Sequence, residues 1–147
     1  MSSSKPNIRV IAQRLTAYEA VASKSSETNA PTAFAVCEKL REPLASLSGL
    51  NGFRSLLSRA LALAGDEARW LRAVHIKADG SLECPAEMSE LDQKEISDGE
   101  NALVAQLLGL LVTFIGEPLT LSLVREVWPG APFNDTTFKK KESNEIT

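Results

Sequence analysis

A mostly helical fold is the class this sequence predicts, and three observations predict it. The chain is rich in Ala and Leu and poor in aromatics; apolar residues recur at spacings of three and four; and one long apolar stretch runs from Ala102 to Gly116. At 147 residues the chain suits a single domain, large enough to bury about two thirds of the surface that its unfolded form exposes. The pattern predicts a compact domain of five or six helices around a buried central helix at about 97–116, with one small β-hairpin at about 73–84. Residues 1–6 are expected to be a disordered start, 7–129 the helical domain and 130–147 a mobile tail.

The first helix follows from Ile8, Ile11, Leu15, Tyr18 and Val21, with Arg9, Gln13, Arg14 and Glu19 on the outer side. The polar stretch 23–29 reads as a loop, and Asn29 before Ala30-Pro31 fits an N-cap with proline in the first turn. Phe34, Cys37 and Leu40 give the second helix its apolar face. Pro43 then predicts a kink or a fresh start, with Leu44 and Leu47 resuming that face. Gly49-Leu50-Asn51-Gly52 reads as a turn, and Phe53, Leu56, Leu57, Ala60, Leu61 and Ala64 form the stripe of a further helix that Gly65 ends. Asp66 is placed to cap a short helix carrying Trp70 and Leu71.

The period then changes from helical to alternating, with Val74 and Ile76 apolar, His75 and Lys77 polar, and Leu82 and Cys84 apolar after Ala78-Asp79-Gly80. A two-residue loop would pair Lys77 with Leu82 and mix polar with apolar. A three-residue loop with Gly80 left-handed pairs Ile76 with Leu82 and Val74 with Cys84, which gives one coherent apolar face and is the predicted register. It sets His75 opposite Glu83 on the outer face.

In residues 102–116 eleven of fifteen side chains are apolar, as in a helix surrounded by protein. Ser97 and Glu100 read as a capping box at its start. A stripe of small residues, Ala102, Ala105, Gly109, Thr113 and Gly116, predicts close approach of a neighbouring backbone, with Ala105, Gly109 and Thr113 as packing residues. A membrane span needs about 20 apolar residues. Gly116-Glu117-Pro118 interrupts the run too soon, so a core helix is expected and no membrane partner. A last helix then reaches Trp128, with Leu119, Leu123 and Val127 inward.

The net charge of −3 is unevenly placed: residues 1–77 carry +5, residues 79–100 carry −7, and the remainder −1. The acidic stretch reads as a solvated linker, or as a cover over a basic surface in the first half. Two cysteines, Cys37 and Cys84, and one histidine are too few for a zinc site, and both cysteines read as inert packing. No cofactor is expected. The first residues lack an apolar signal core, so a cytoplasmic location is the expectation. His75 and Glu83 could form an acid–base pair, but no motif holds a nucleophile near them. Gly49-x-x-Gly52-Phe53-Arg54 lacks the lysine and hydroxyl ending of a phosphate-binding loop.

The order helix, turn, helix, hairpin resembles the layout of winged-helix nucleic-acid readers. Arg54 and Arg59, with Ser55 and Ser58 beside them, lie on the would-be recognition helix, and Arg72 and Lys77 lie near the hairpin; these four basic residues are the candidate anion or nucleic-acid contacts. The acidic total and the short hairpin turn oppose that reading. Trp70, Trp128, His75 and Glu83 are the candidate interface residues, although both tryptophans follow a helical apolar pattern and read equally as core-edge residues. The leading expectation is a non-catalytic cytoplasmic interaction or regulatory module with a protein partner or a second copy of itself. A winged-helix-like regulator is the alternative, and a small enzyme of unspecified reaction comes third.

Overall fold

Residues 8–22 and 31–130 are the part of the chain that the computed structural model describes. They form α1 (Ile8–Ala22), α2 (Thr32–Gly65), a hairpin of β1 (His75–Ile76) and β2 (Leu82–Glu83), α3 (Gln93–Ile115) and α4 (Glu117–Val127). The expectations for a disordered 1–6, for the 23–29 loop with its Asn29 cap, and for the tail past Gly130 lie outside the described residues.

Four α-helices replace the expected five or six. The two helices predicted on either side of Gly49 run on as α2, with Pro43 inside it and the backbone leaving helical angles only at Gly49 (φ 84°, ψ 159°). Glycine adopts a positive φ without the Cβ clash that other residues meet, so a single residue absorbs the break as a kink. The short helix expected at Trp70 and Leu71 is a 3₁₀ segment, Arg69–Ala73.

The core is built chiefly where α3 packs against α2 and α1. Ile11, Leu15, Leu40, Phe53, Leu57, Leu103, Leu107, Leu108 and Leu111 are its largest fully buried apolar side chains. Trp70 and Trp128 join them at 7% and 2% exposure, which agrees with their helical apolar pattern as core-edge residues and not with the interface-anchor reading. Each indole N–H finds an acceptor, Trp70 Nε1 donating to the Glu95 carbonyl at 3.0 Å and Trp128 Nε1 to the buried Glu19 Oε1 at 2.9 Å. A large ring with a satisfied donor is stable inside, so neither indole is left for a partner.

Glu19 itself was expected on the outer side of α1 and is instead wholly buried. Lys39 of α2 also donates to its Oε1, at 2.9 Å. One carboxylate therefore ties α1 to α2 and to the residue that ends α4.

The 97–116 segment is not the fully buried central helix that its composition suggested. Helix α3 begins one turn earlier, capped by Asp92, whose carboxylate accepts from the Glu95 amide at 2.8 Å while Glu95 accepts from the Asp92 amide at 3.2 Å. Two boxes of the same spacing compete here, and the one at Ser97 and Glu100 loses because Glu100 turns inward to another task. At the other end Thr113 is exposed and Phe114 is 66% exposed. Leu119 on α4 is 55% exposed rather than inward.

Of the three expected packing residues only Ala105 is buried. A Cβ at Gly109 would meet nothing within 4 Å, and Thr113 turns its hydroxyl back to the Gly109 carbonyl. The close approach occurs instead at Gly99, where a Cβ would lie 2.5 Å from the Trp70 ring. By length and composition α3 could cross a membrane, though half of its most apolar stretch is buried within this fold.

Glu100 caps a helix other than its own. Helix α2 follows Pro31, which offers no side-chain cap, and Glu100 of α3 accepts from the Ala33 amide at 3.2 Å and from the Thr32 amide. Burial raises the Glu100 pKa above the ordinary carboxylate range, and the two backbone hydrogen bonds oppose that shift only in part. With the folded value raised, the native state binds this proton more tightly than the unfolded chain does. The stability contributed by this group thus rises as pH falls through the folded pKa and levels off below the unfolded one.

Glu100→Gln is expected to match or exceed the wild type in stability at pH 7, and to lose that advantage only as pH falls below the ordinary carboxylate value, by about pH 4, as read by denaturant unfolding. Glu100→Ala is expected to cost about 1–3 kcal/mol at either pH, because it strands a buried amide. Equal pH profiles for wild type and Glu100→Gln would overturn this assignment.

The hairpin has the predicted register, His75 opposite Glu83 and Ile76 opposite Leu82. Gly80 is left-handed at φ 91°, and Lys77 and Ser81 close the three-residue loop with a 2.8 Å bond from the Lys77 amide to the Ser81 carbonyl. The strands are shorter than the expected 73–84 span, and Cys84 is exposed instead of sharing an inner face with the buried Val74. The loop does not project. A Cβ on Gly80 would lie 3.2 Å from Arg41 and Leu50 and 3.3 Å from Phe53, so the hairpin tip is seated on α2 beside its kink. Arg41 fastens it there by donating to the Asp79 carbonyl at 3.3 Å.

Candidate functional site

Seating the hairpin on α2 leaves a groove between the second half of that helix and the chain that leads into β1. Its volume is about 1070 Å³. One wall is the exposed side of α2, where Asn51, Arg54, Ser55, Ser58, Arg59 and Ala62 recur at three and four because the opposite face is spent on the core. The other wall is Arg72 and His75, and Leu61, Leu71, Val74 and Ile76 supply an apolar lining. Among the described residues no carboxylate lines the groove.

The three arginines are held to different degrees. Arg72 is braced: its Nε donates to the Gly65 carbonyl at 3.2 Å and its Nη2 to Asp66 at 3.0 Å. A guanidinium has five N–H donors, so three of them remain to Arg72 after these bonds. Gly65 permits the arrangement, since a Cβ there would come within 2.9 Å of Arg72 Cγ. Arg54 is half-buried and its Nε is a buried donor without a hydrogen-bond partner. Arg59 is exposed, and no ion pair engages it among the described residues.

Arg54, Arg59 and Arg72 line the same groove, while Lys77 lies exposed outside its lining. His75 joins the groove. Its cross-strand neighbour Glu83 is exposed and stands outside the lining, and no ion pair joins the two among the described residues. Trp70 and Trp128 belong to the core and take no part.

No ion pair joins the acidic stretch to these arginines among the described residues. Among the described residues Asp79 pairs with Arg41, Lys94 with Asp98, and Asp92 with the Glu95 amide. A groove with three guanidinium groups, two hydroxyls, an amide and no carboxylate attracts anions, and its apolar lining can take carbon skeleton beside the charge.

Neither cysteine adds reactivity. Burial pushes the Cys37 thiol up to about 12, and desolvation raises the exposed Cys84 thiol as well, so each is less of a thiolate at neutral pH than a free cysteine. Among the described residues no three His, Cys, Asp or Glu side chains gather in a way that could hold a metal ion. No known protein family, curated protein or solved structure matches the chain.

Proposed function

We propose that this chain is a non-catalytic, cytoplasmic protein-interaction module that docks an acidic segment of a partner protein in the groove between α2 and β1. The observation that carries the reading is the gathering of Arg54, Arg59 and Arg72 in one lining that contains no carboxylate. Arginine favours such contacts because its planar fork binds carboxylate and phosphate in two-point fashion and is more weakly hydrated than an ammonium group. A seated hairpin tip, with Gly80 against Leu50 and Phe53, argues against the winged-helix alternative, which needs a loop free to reach a minor groove. Among the described residues the lining also holds no Phe, Tyr or Trp on which a base could stack, His75 being its one aromatic ring.

Titration of the full chain with a short peptide of mixed Glu and Leu residues is expected to show binding that weakens as salt is raised. Arg54→Ala with Arg59→Ala is expected to weaken it about tenfold or more, since each charge-assisted hydrogen bond is worth about 1.5–3 kcal/mol when desolvated and less here at partly exposed positions. Lys77→Ala, outside the groove, is expected to change little. Binding at low salt that survives loss of both arginines, or no binding at all, would refute the reading.

A further inference from the structure

We propose that the groove between α2 and β1 recognises a phosphoryl group carried on a protein segment, with Arg54, Arg59 and Arg72 as its ligands. The inference rests on the docking reading above and specifies the anion. A carboxylate carries one charge and two oxygens, which one forked arginine satisfies. A phosphate monoester carries between one and two negative charges at neutral pH and presents three strong acceptor oxygens, a match for several guanidinium groups at once.

The lining has the form such a group requires. Arg72 is oriented in advance by Gly65 and Asp66, so little freedom is lost when its three remaining N–H groups are engaged. Arg54 lines the same groove and carries an Nε donor removed from water and without a hydrogen-bond partner among the described residues, so a small turn of its guanidinium toward an entering oxygen would satisfy that donor. Ser55 and Ser58 place hydroxyl donors on the same wall. The groove, at about 1070 Å³, is far larger than a single phosphate needs. Leu71, Val74 and Ile76 line the remainder, which suits the side chains flanking a modified residue better than a free ion.

The experiment compares three peptides of one sequence with phosphoserine, glutamate or serine at the centre, together with inorganic phosphate and a short DNA duplex, against the full chain by calorimetry. Phosphoserine is expected to bind about tenfold tighter than glutamate, and serine not measurably. Arg59→Lys is expected to lose severalfold in affinity for the phosphopeptide although it keeps the charge, because an ammonium cannot fork. Arg59 is exposed, so this variant reports on binding even if Arg54→Ala proves poorly folded.

Equal affinity for phosphoserine and glutamate would overturn the phosphoryl assignment and leave acidic docking standing. Silence of both peptides would overturn both. Inorganic phosphate binding as tightly as the phosphopeptide would remove the protein segment as the occupant, and tighter capture of the duplex would replace it with nucleic acid.

Discussion

Gly99→Ala is expected to lower stability by about 2 kcal/mol and Gly99→Val by about 3 kcal/mol or more, read as a fall in melting temperature and in the denaturant midpoint. An added methyl would stand 2.5 Å from Nε1 and Cζ2 of Trp70 and 2.6 Å from Cε2. The ring cannot step aside cheaply. It is buried, and its N–H is committed to the Glu95 carbonyl one turn away on the same helix. Alanine gains about 0.5–1 kcal/mol over glycine inside a helix. The clash therefore has to exceed that gain for the net sign to be negative. Gly109 supplies the control within α3: a Cβ there meets nothing within 4 Å, so Gly109→Ala is expected to stabilise by that same 0.5–1 kcal/mol. A Gly99→Ala protein as stable as the wild type would show that Trp70 does not lie where described.

Lys39→Met is expected to destabilise the fold by about 2–3 kcal/mol, somewhat below the 3–5 kcal/mol typical when a fully buried pair is broken. The cation is 46% exposed while Glu19, its partner at 2.9 Å, has no exposed side-chain surface, so the loss falls almost wholly on the carboxylate. Trp128 Nε1 continues to donate to Glu19, which softens the loss. The same logic gives a non-additive signature. Lys39→Met together with Glu19→Gln is expected to be more stable than Lys39→Met alone, because the second change removes the buried carboxylate whose contact with the cation the first broke. Additive losses in the double variant would mean that Lys39 acts by packing and not by charge.

What could be read from the sequence follows from how local the cause is. The hairpin register was legible because a glycine that must be left-handed and the alternation of Val74, Ile76, Leu82 and Cys84 act within a dozen residues. The arginine groove was legible in its α2 half, because Arg54 and Arg59 lie opposite a clean apolar stripe and so face outward. Its far wall was only half visible: Arg72 was named, but His75 was assigned to an interface and Lys77 was included by proximity in sequence alone.

The misses share a different cause, a tertiary partner that the residue's own neighbourhood does not announce. Glu19 sits at an outward-looking position on α1 until Lys39 and Trp128 arrive from other helices. Glu100 looked like part of a local cap and serves α2 instead. Gly109 and Gly99 are both small residues on α3, and only the placement of Trp70 decides which of them must lack a side chain. For Gly99 a signal existed: it precedes Ala102 by three positions and extends the small stripe toward the helix start.

The bond between Trp128 and Glu19 joins residues 109 positions apart. It stitches the first helix to the end of the last, so neither behaves as an appendage that can be trimmed away. A fragment starting after Ala22 would leave an indole donor with no acceptor, and one stopping short of Trp128 would leave a cavity beside a buried anion. Expression boundaries for a self-sufficient fragment must therefore enclose both Ile8 and Trp128, and a split between α1 and α2 is expected to yield halves that recover their shape only on recombination.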